Sequence, residues 1–164
     1  MKNLSIILAA VAVFALAGCG KDKENQAAMA QKLNGKIDGE PWTHTFGVVR
    51  PKLGSSSYSI TLHNLPDRVD PCTATYVPGQ PIYMVSFSVK ELTAGAYDVS
   101  AGSGSSIYLT RAITTNGNFS ATSKGAFGEA RLTKVDATTV EGQLDVSAND
   151  SNFVKGMFTA KICK

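Results

Sequence analysis

From Leu33 onward, apolar and polar residues of this chain alternate with a period of two in several separate runs. Tyr58, Ile60 and Leu62 alternate with Ser57, Ser59, Thr61 and His63. Tyr83, Val85, Phe87 and Val89 alternate with Met84, Ser86, Ser88 and Lys90. Val140, Leu144, Val146 and Ala148 stand against Glu141, Gln143, Asp145 and Ser147, and Val154, Phe158, Ala160 and Ile162 against Lys155, Met157, Thr159 and Lys161. Successive side chains of a strand point to opposite faces, so each run can bury one face and wet the other. No window carries an i, i+3, i+4, i+7 apolar stripe of helical length. Turn signals break the runs at Gly39-Glu40-Pro41, Gly54-Ser55-Ser56, Gly102-Ser103-Gly104, Asn116-Gly117-Asn118, Asp136-Ala137 and Asn149-Asp150. Many short strands with frequent turns predict an all-β, antiparallel β-sandwich over residues 33–164.

A closed, lipocalin-like β-barrel is the second architecture. Lipocalin-type barrels carry a tryptophan after a glycine near the first strand. Here Gly39-Glu-Pro-Trp42 is one residue longer than their G-x-W, so Trp42 is read as a core aromatic sealing one end of the sandwich. The last two runs repeat a pattern, Val140-Glu-Gly142-Gln-Leu144 and Val154-Lys-Gly156-Met-Phe158. Both glycines fall on the inward parity, where a missing side chain lets a neighbouring ring or strand come close.

The first nineteen residues belong to a different physical class. A basic start at Lys2 precedes the apolar run Leu4 to Leu16, which is shorter than the ~20 residues needed to span a bilayer. Basic, apolar and small-residue regions in that order read as a cleaved export signal over 1–18. The ending Leu16-Ala17-Gly18-Cys19 resembles the lipobox of bacterial lipoproteins. That resemblance implies acyl groups on Cys19, cleavage before it, and anchoring in the cell envelope. Gly20, in place of the aspartate that favours inner-membrane retention in that family, implies the outer membrane, on its periplasmic or its surface face. Several acyl chains at ~0.8 kcal/mol per buried CH₂ make such an anchor stable. Residues 19–32, polar and then Ala-rich, read as a lipidated cysteine followed by a flexible tether. Gly35-Lys-Ile37-Asp-Gly39-Glu-Pro-Trp42 and Gly156-Met-Phe158-Thr-Ala160-Lys-Ile-Cys163 resemble patterns in small Gly-rich β-sheet lipoproteins of Gram-negative bacteria, a likeness that carries no active site.

Cleavage removes one lysine from a net charge of +3, leaving +2 on one domain's length of chain. No run of Lys and Arg marks a nucleic-acid surface. With Cys19 lipidated in an oxidising compartment, Cys72 and Cys163 are expected to form one disulfide. Cys163 has the outward phase of its run, with Lys155 and Lys161, so it should latch the strand end to an outer loop holding Cys72.

That loop, Asn64 to Pro81, is the one long irregular stretch and holds four prolines. Arg68 and Tyr76 within it are of types enriched at recognition hot spots, which makes them the candidate binding residues. His44 shares parity with Trp42 and Phe46, whereas His63 falls on the outward face of its run, so the two are expected not to converge. Without that convergence there is no expected metal site and no acid–base pair. No cofactor motif and no G-x-S-x-G, S-x-x-K or H-E-x-x-H is present. The expectation is a non-catalytic binding module for an envelope protein or a surface ligand. A carrier of a small apolar ligand inside a barrel is the first rival, and an unrecognised envelope enzyme the second.

Overall fold

The computed structural model describes residues 31–65, 70–73, 77–98 and 106–164. It is all-β and built from antiparallel ladders, the class that the alternation requires. The strands are β1 (Asn34–Ile37), β2 (Glu40–Thr43), β3 (Phe46–Pro51), β4 (Tyr58–His63), β5 (Ile82–Val89), β6 (Gly95–Asp98), β7 (Ile107–Thr115), β8 (Asn118–Val135), β9 (Thr139–Asn149) and β10 (Asn152–Ile162).

The ladders form a circuit. β3, β4, β5, β7, β8, β9 and β10 pair in that order, and β10 returns to β3. Every pairing is antiparallel except the last, a short parallel seam of Lys161 with Val48 and Ile162 with Val49. β8 makes the circuit possible by changing neighbours along its length: residues 118–126 pair with β7, and β9 pairs from Phe127 to Val135. The result is a sheet closed on itself around a packed core, the geometry in which a two-layer sandwich and a small barrel meet. β1 and β2 extend the sheet beyond β10, and β6 lies on β8.

Local chemistry explains the corners. Asp38-Gly39 and Asn116-Gly117 both have positive φ, at 56° and 82°, and at 52° and 77°. These are the two-residue turns whose twist matches that of the flanking strands. The first corrects the expected turn at Gly39-Glu40-Pro41: the corner comes one residue earlier, and Glu40 and Pro41 open β2. Pro41 is tolerated there because β2 is an edge strand, paired among the described residues only with β1.

The inward parity holds along the strands. Ile60, Leu62, Val85, Phe87, Val89, Val140, Leu144, Val146, Val154, Phe158 and Ala160 are buried in one continuous cluster with Leu33, Ile37, Trp42, Ile107, Leu109 and Leu132. Trp42 is 1% exposed, and its indole N–H donates to the Tyr83 carbonyl at 2.9 Å, which satisfies the one polar atom it brings inside.

Gly142 shows why a side chain is missing at an inward position. Phe158 stands opposite it in the β9–β10 register. A Cβ at Gly142 would lie 2.5 Å from Phe158 Cζ and 2.6 Å from the Arg131 carbonyl oxygen. The ring can swing only partway and the Arg131 backbone not at all. Gly142→Ala should therefore cost ~2 kcal/mol by overpacking, read as a shift in the denaturant midpoint at constant slope. An unchanged midpoint would show that the ring has room to move.

Gln31 and Lys32, just before the expected domain start at 33, are tied to β10. Met157 N–H donates to the Gln31 carbonyl at 2.8 Å, and Leu33 N–H to the Met157 carbonyl at 2.7 Å. Gln31 and Lys32 thus already lie against β10, because its edge beyond β1 still offers unpaired backbone groups.

Candidate functional site

The most built-up surface lies over the β3–β10 seam. Strand β10 ends at Ile162, and Cys163 continues its parallel seam with β3: its N–H donates to the Val49 carbonyl at 2.9 Å and its sulfur bonds Cys72. The two Cα atoms are 5.6 Å apart across 91 positions of sequence, so the disulfide forms as the cysteine count and strand phase require. The same loop segment is tied down twice more. Lys161 Nζ pairs with Asp70 at 3.1 Å, and Arg50 donates to the Cys72 carbonyl at 2.6 Å. The Lys161 ammonium holds the Asp70 carboxyl below its ordinary range, helped by the Cys72 backbone N–H. Cys163 itself is 4% exposed although it carries the outward phase, because the latched loop covers it.

Beside this latch runs a groove of about 410 Å³ lined by Thr45, Phe46, Gly47, Pro71, Thr138, Thr139, Thr159 and Lys161. A smaller recess of about 200 Å³ shares Thr45 and Thr159 with it and continues to Lys32, His44, Glu141, Met157 and Phe158. The two adjoin at Thr45 and Thr159; the recess also holds Lys32 and Glu141, and the groove Lys161. Thr138 and Thr139 are set in place by Asp136, whose carboxylate accepts both their backbone N–H groups at 2.8 Å and both hydroxyls. Those hydrogen bonds, first that from the Thr138 backbone, hold the Asp136 carboxyl far below its ordinary range.

The histidines differ from expectation. His63 is not solvated: it is 4% exposed, and Phe46, its partner in the β3–β4 register, lies over it with ring centroids 5.0 Å apart. Nor are the two histidines apart. The Thr45 N–H donates to the His63 carbonyl at 2.8 Å, which brings the neighbouring His44 against it. Alternation failed here because His44 and Thr45 lie between strands and His63 closes β4, where the chain turns across the sheet end and both faces are covered. His44 is 3% exposed; its Nε2 meets the Thr159 carbonyl at 3.0 Å, and its Nδ1 is buried with no hydrogen-bond partner among the described residues. Burial pushes both rings down to about 4, and in His63 the nearby His44 adds to the effect. Both are therefore neutral at pH 7.

Among the described residues, no three His, Cys, Asp or Glu side chains stand close enough together to hold a metal ion. Arg68 and Tyr76, the loop residues picked out for binding, lie outside the described residues, as does Cys19. What sequence reading missed is the groove itself. Its threonines come from the β2–β3 link, the β8–β9 turn and β10, three places with no common spacing. A second recess of about 440 Å³ lies over the β9–β10 hairpin, where Lys155 and Asp145 pair at 2.8 Å. Comparison with protein-family models, curated proteins and solved structures finds no match to this chain.

Proposed function

We propose that this chain is a lipid-anchored protein of the cell envelope that works as a non-catalytic binding module, with the β3–β10 groove as its contact surface. The anchor rests on the lipobox residues Leu16-Ala17-Gly18-Cys19. One observation carries the site: the groove is built on rigid strands, and its wall is a loop held by a disulfide, an ion pair and an arginine–carbonyl hydrogen bond. A surface fixed in this way loses little entropy when a partner settles on it. Its threonine hydroxyls, with Lys32 and Glu141 at one end, suit a partner that offers polar hydrogen-bonding groups, whether an envelope protein or a surface ligand. The continuous cluster of buried side chains supports this reading over a carrier of an internal apolar ligand.

The test is photo-crosslinking in cells, with a photoreactive side chain at Thr159 or Thr139 and a control at Leu53, which is fully exposed on the β3–β4 turn. A discrete adduct from the groove positions and none from Leu53 is expected. Cys19→Ser should move the protein out of the membrane fraction and abolish that adduct. Absence of any groove-specific adduct from the membrane-bound protein would refute the binding site. Unchanged fractionation of Cys19→Ser would refute the anchor.

A further inference from the structure

The β7–β8 ribbon runs past the strand that should lie beside it. Residues 118–126 pair with β7 on one edge, but β9 begins to pair only at Phe127. Among the described residues, the other edge of 118–126 has no strand against it, and residues 118–125 are exposed. An edge of this length, with no proline and only one lysine, invites strand pairing. The direction of its hydrogen-bonding groups follows from the turn. Asn116-Gly117 closes on the Thr115–Asn118 pair, which exchanges both its hydrogen bonds, and the sides alternate from there. The N–H and C=O groups of Phe119, Ala121, Ser123 and Gly125 therefore point out of the sheet.

A second observation comes from the side chains. Tyr108, Phe119 and Phe127 are 45%, 60% and 49% exposed. All three share one face of the ribbon, since Tyr108 is paired with Gly125 and Phe119, Gly125 and Phe127 have the same parity. Between Tyr108 and Phe127 lies a gap: nothing stands within 4 Å of where a Cβ on Gly125 would be. Phe119 cannot fill that gap in its own protomer, because six residues of strand put it ~20 Å away.

We propose that this edge of β8 pairs with the same edge of a second copy, antiparallel, about a two-fold axis at Thr122. That register sets Phe119 opposite Gly125 of the partner subunit and Ala121 opposite its Ser123, so all four outward residues of each copy find hydrogen bonds. A shift of two residues in either direction leaves one of them unmatched. Phe119 then lies over the partner's Gly125, beside its Tyr108 and diagonal to its Phe127, which closes the gap at both ends of the seam. The fold already uses this pairing internally, where Phe158 covers Gly142. Lys124 meets Ser120 of the partner subunit, and the two Lys124 residues stand ~13 Å apart along the seam, beyond the ~8–10 Å screening length. The edge is complementary to itself, which favours a second copy over an unrelated strand.

The experiment uses the full chain with Cys19→Ser, in detergent, by sedimentation equilibrium and by cysteine cross-linking under air oxidation. A dimer is expected. Thr122→Cys should cross-link to itself, because directly opposed Cα atoms at the centre of such a pair are ~4.5–5.5 Å apart, within disulfide reach, whereas Asn118→Cys should not. Ala121→Pro removes an outward N–H and leaves the β7 ladder intact. It should weaken self-association more than ~tenfold while leaving the melting temperature of the dilute monomer unchanged, and Phe119→Ser should do the same without altering the backbone. The proposal is overturned by a monomer throughout the micromolar range, by a dimer indifferent to both substitutions, or by Thr122→Cys cross-linking only to a different protein.

Discussion

Between pH 6.5 and about 4 the protein should lose several kcal/mol of stability, and His44 and His63 should account for it. Both rings are buried and neutral in the fold, with pKa values of about 4 against 6.5 for an exposed histidine. In that window the unfolded chain binds the protons and the folded chain refuses them. Stability therefore falls as pH drops through 6.5 and levels off below about 4, when the folded rings titrate too. A shift of that size corresponds to about 3 kcal/mol for each ring. Carboxylates such as Asp136, held charged by its hydrogen bonds, act below this window rather than within it. Urea unfolding at pH 7 and at pH 4.5 should show the difference, and His44→Gln should remove its own share. A His44→Gln protein that loses as much stability on acidification as the wild type would mean that His44 is not a source of the acid sensitivity. Because the two rings pack under the groove, acid should also loosen the groove before the distant β7–β8 hairpin. A drop in amide protection at Thr45 and Thr159 at pH 5, taken relative to the intrinsic exchange rate at that pH, would report it.

Reducing the Cys72–Cys163 disulfide should have an effect of similar size. It links positions 91 apart, and the chain-entropy model values a closed loop of that length at about 4.6 kcal/mol, an upper figure for a fold that also holds the loop by other bonds. Cys72→Ser with Cys163→Ser should lower the denaturant midpoint accordingly, with the far-ultraviolet β-sheet spectrum intact at low denaturant. The loss should be local as well as global. Without the bond, Lys161–Asp70 and Arg50–Cys72 are exposed contacts of small worth, so the Pro71 wall should move away from the groove. Under the proposed function, the double variant should then lose the crosslink from Thr159 even at temperatures where it remains folded. A midpoint unchanged by the double substitution would show that the loop is ordered without its covalent latch.

The two cysteines also show how far sequence reading reached. Period two in Val140–Ala148 and Val154–Ile162 fixes which side chains face inward, because the side chains of a strand alternate whatever lies beyond it. That same phase put Cys163 on the outside of the last strand and therefore into an outer loop. Gly142 and Gly156 were legible as close approaches for the same reason: a small residue on the inward parity leaves space that something else must fill. These inferences need only the geometry of one strand.

Where the sequence was silent or misleading, the answer depended on what another strand did. His63 has outward parity, but Phe46 of β3 lies over it, and parity says nothing about a neighbour that covers the outer face. The circuit of strands rests on β8 passing from β7 to β9 at residue 127, a change of partner that leaves no mark in an alternating pattern. The groove is assembled from Thr45, Thr138, Thr139 and Thr159, which come together only because β10 runs parallel to β3 and the β8–β9 turn ends beside them. Alternation and turn chemistry are local and can be read from neighbours in the chain. Register between strands, and the surfaces it creates, are set by packing among residues far apart in sequence, which only the tertiary structure decides.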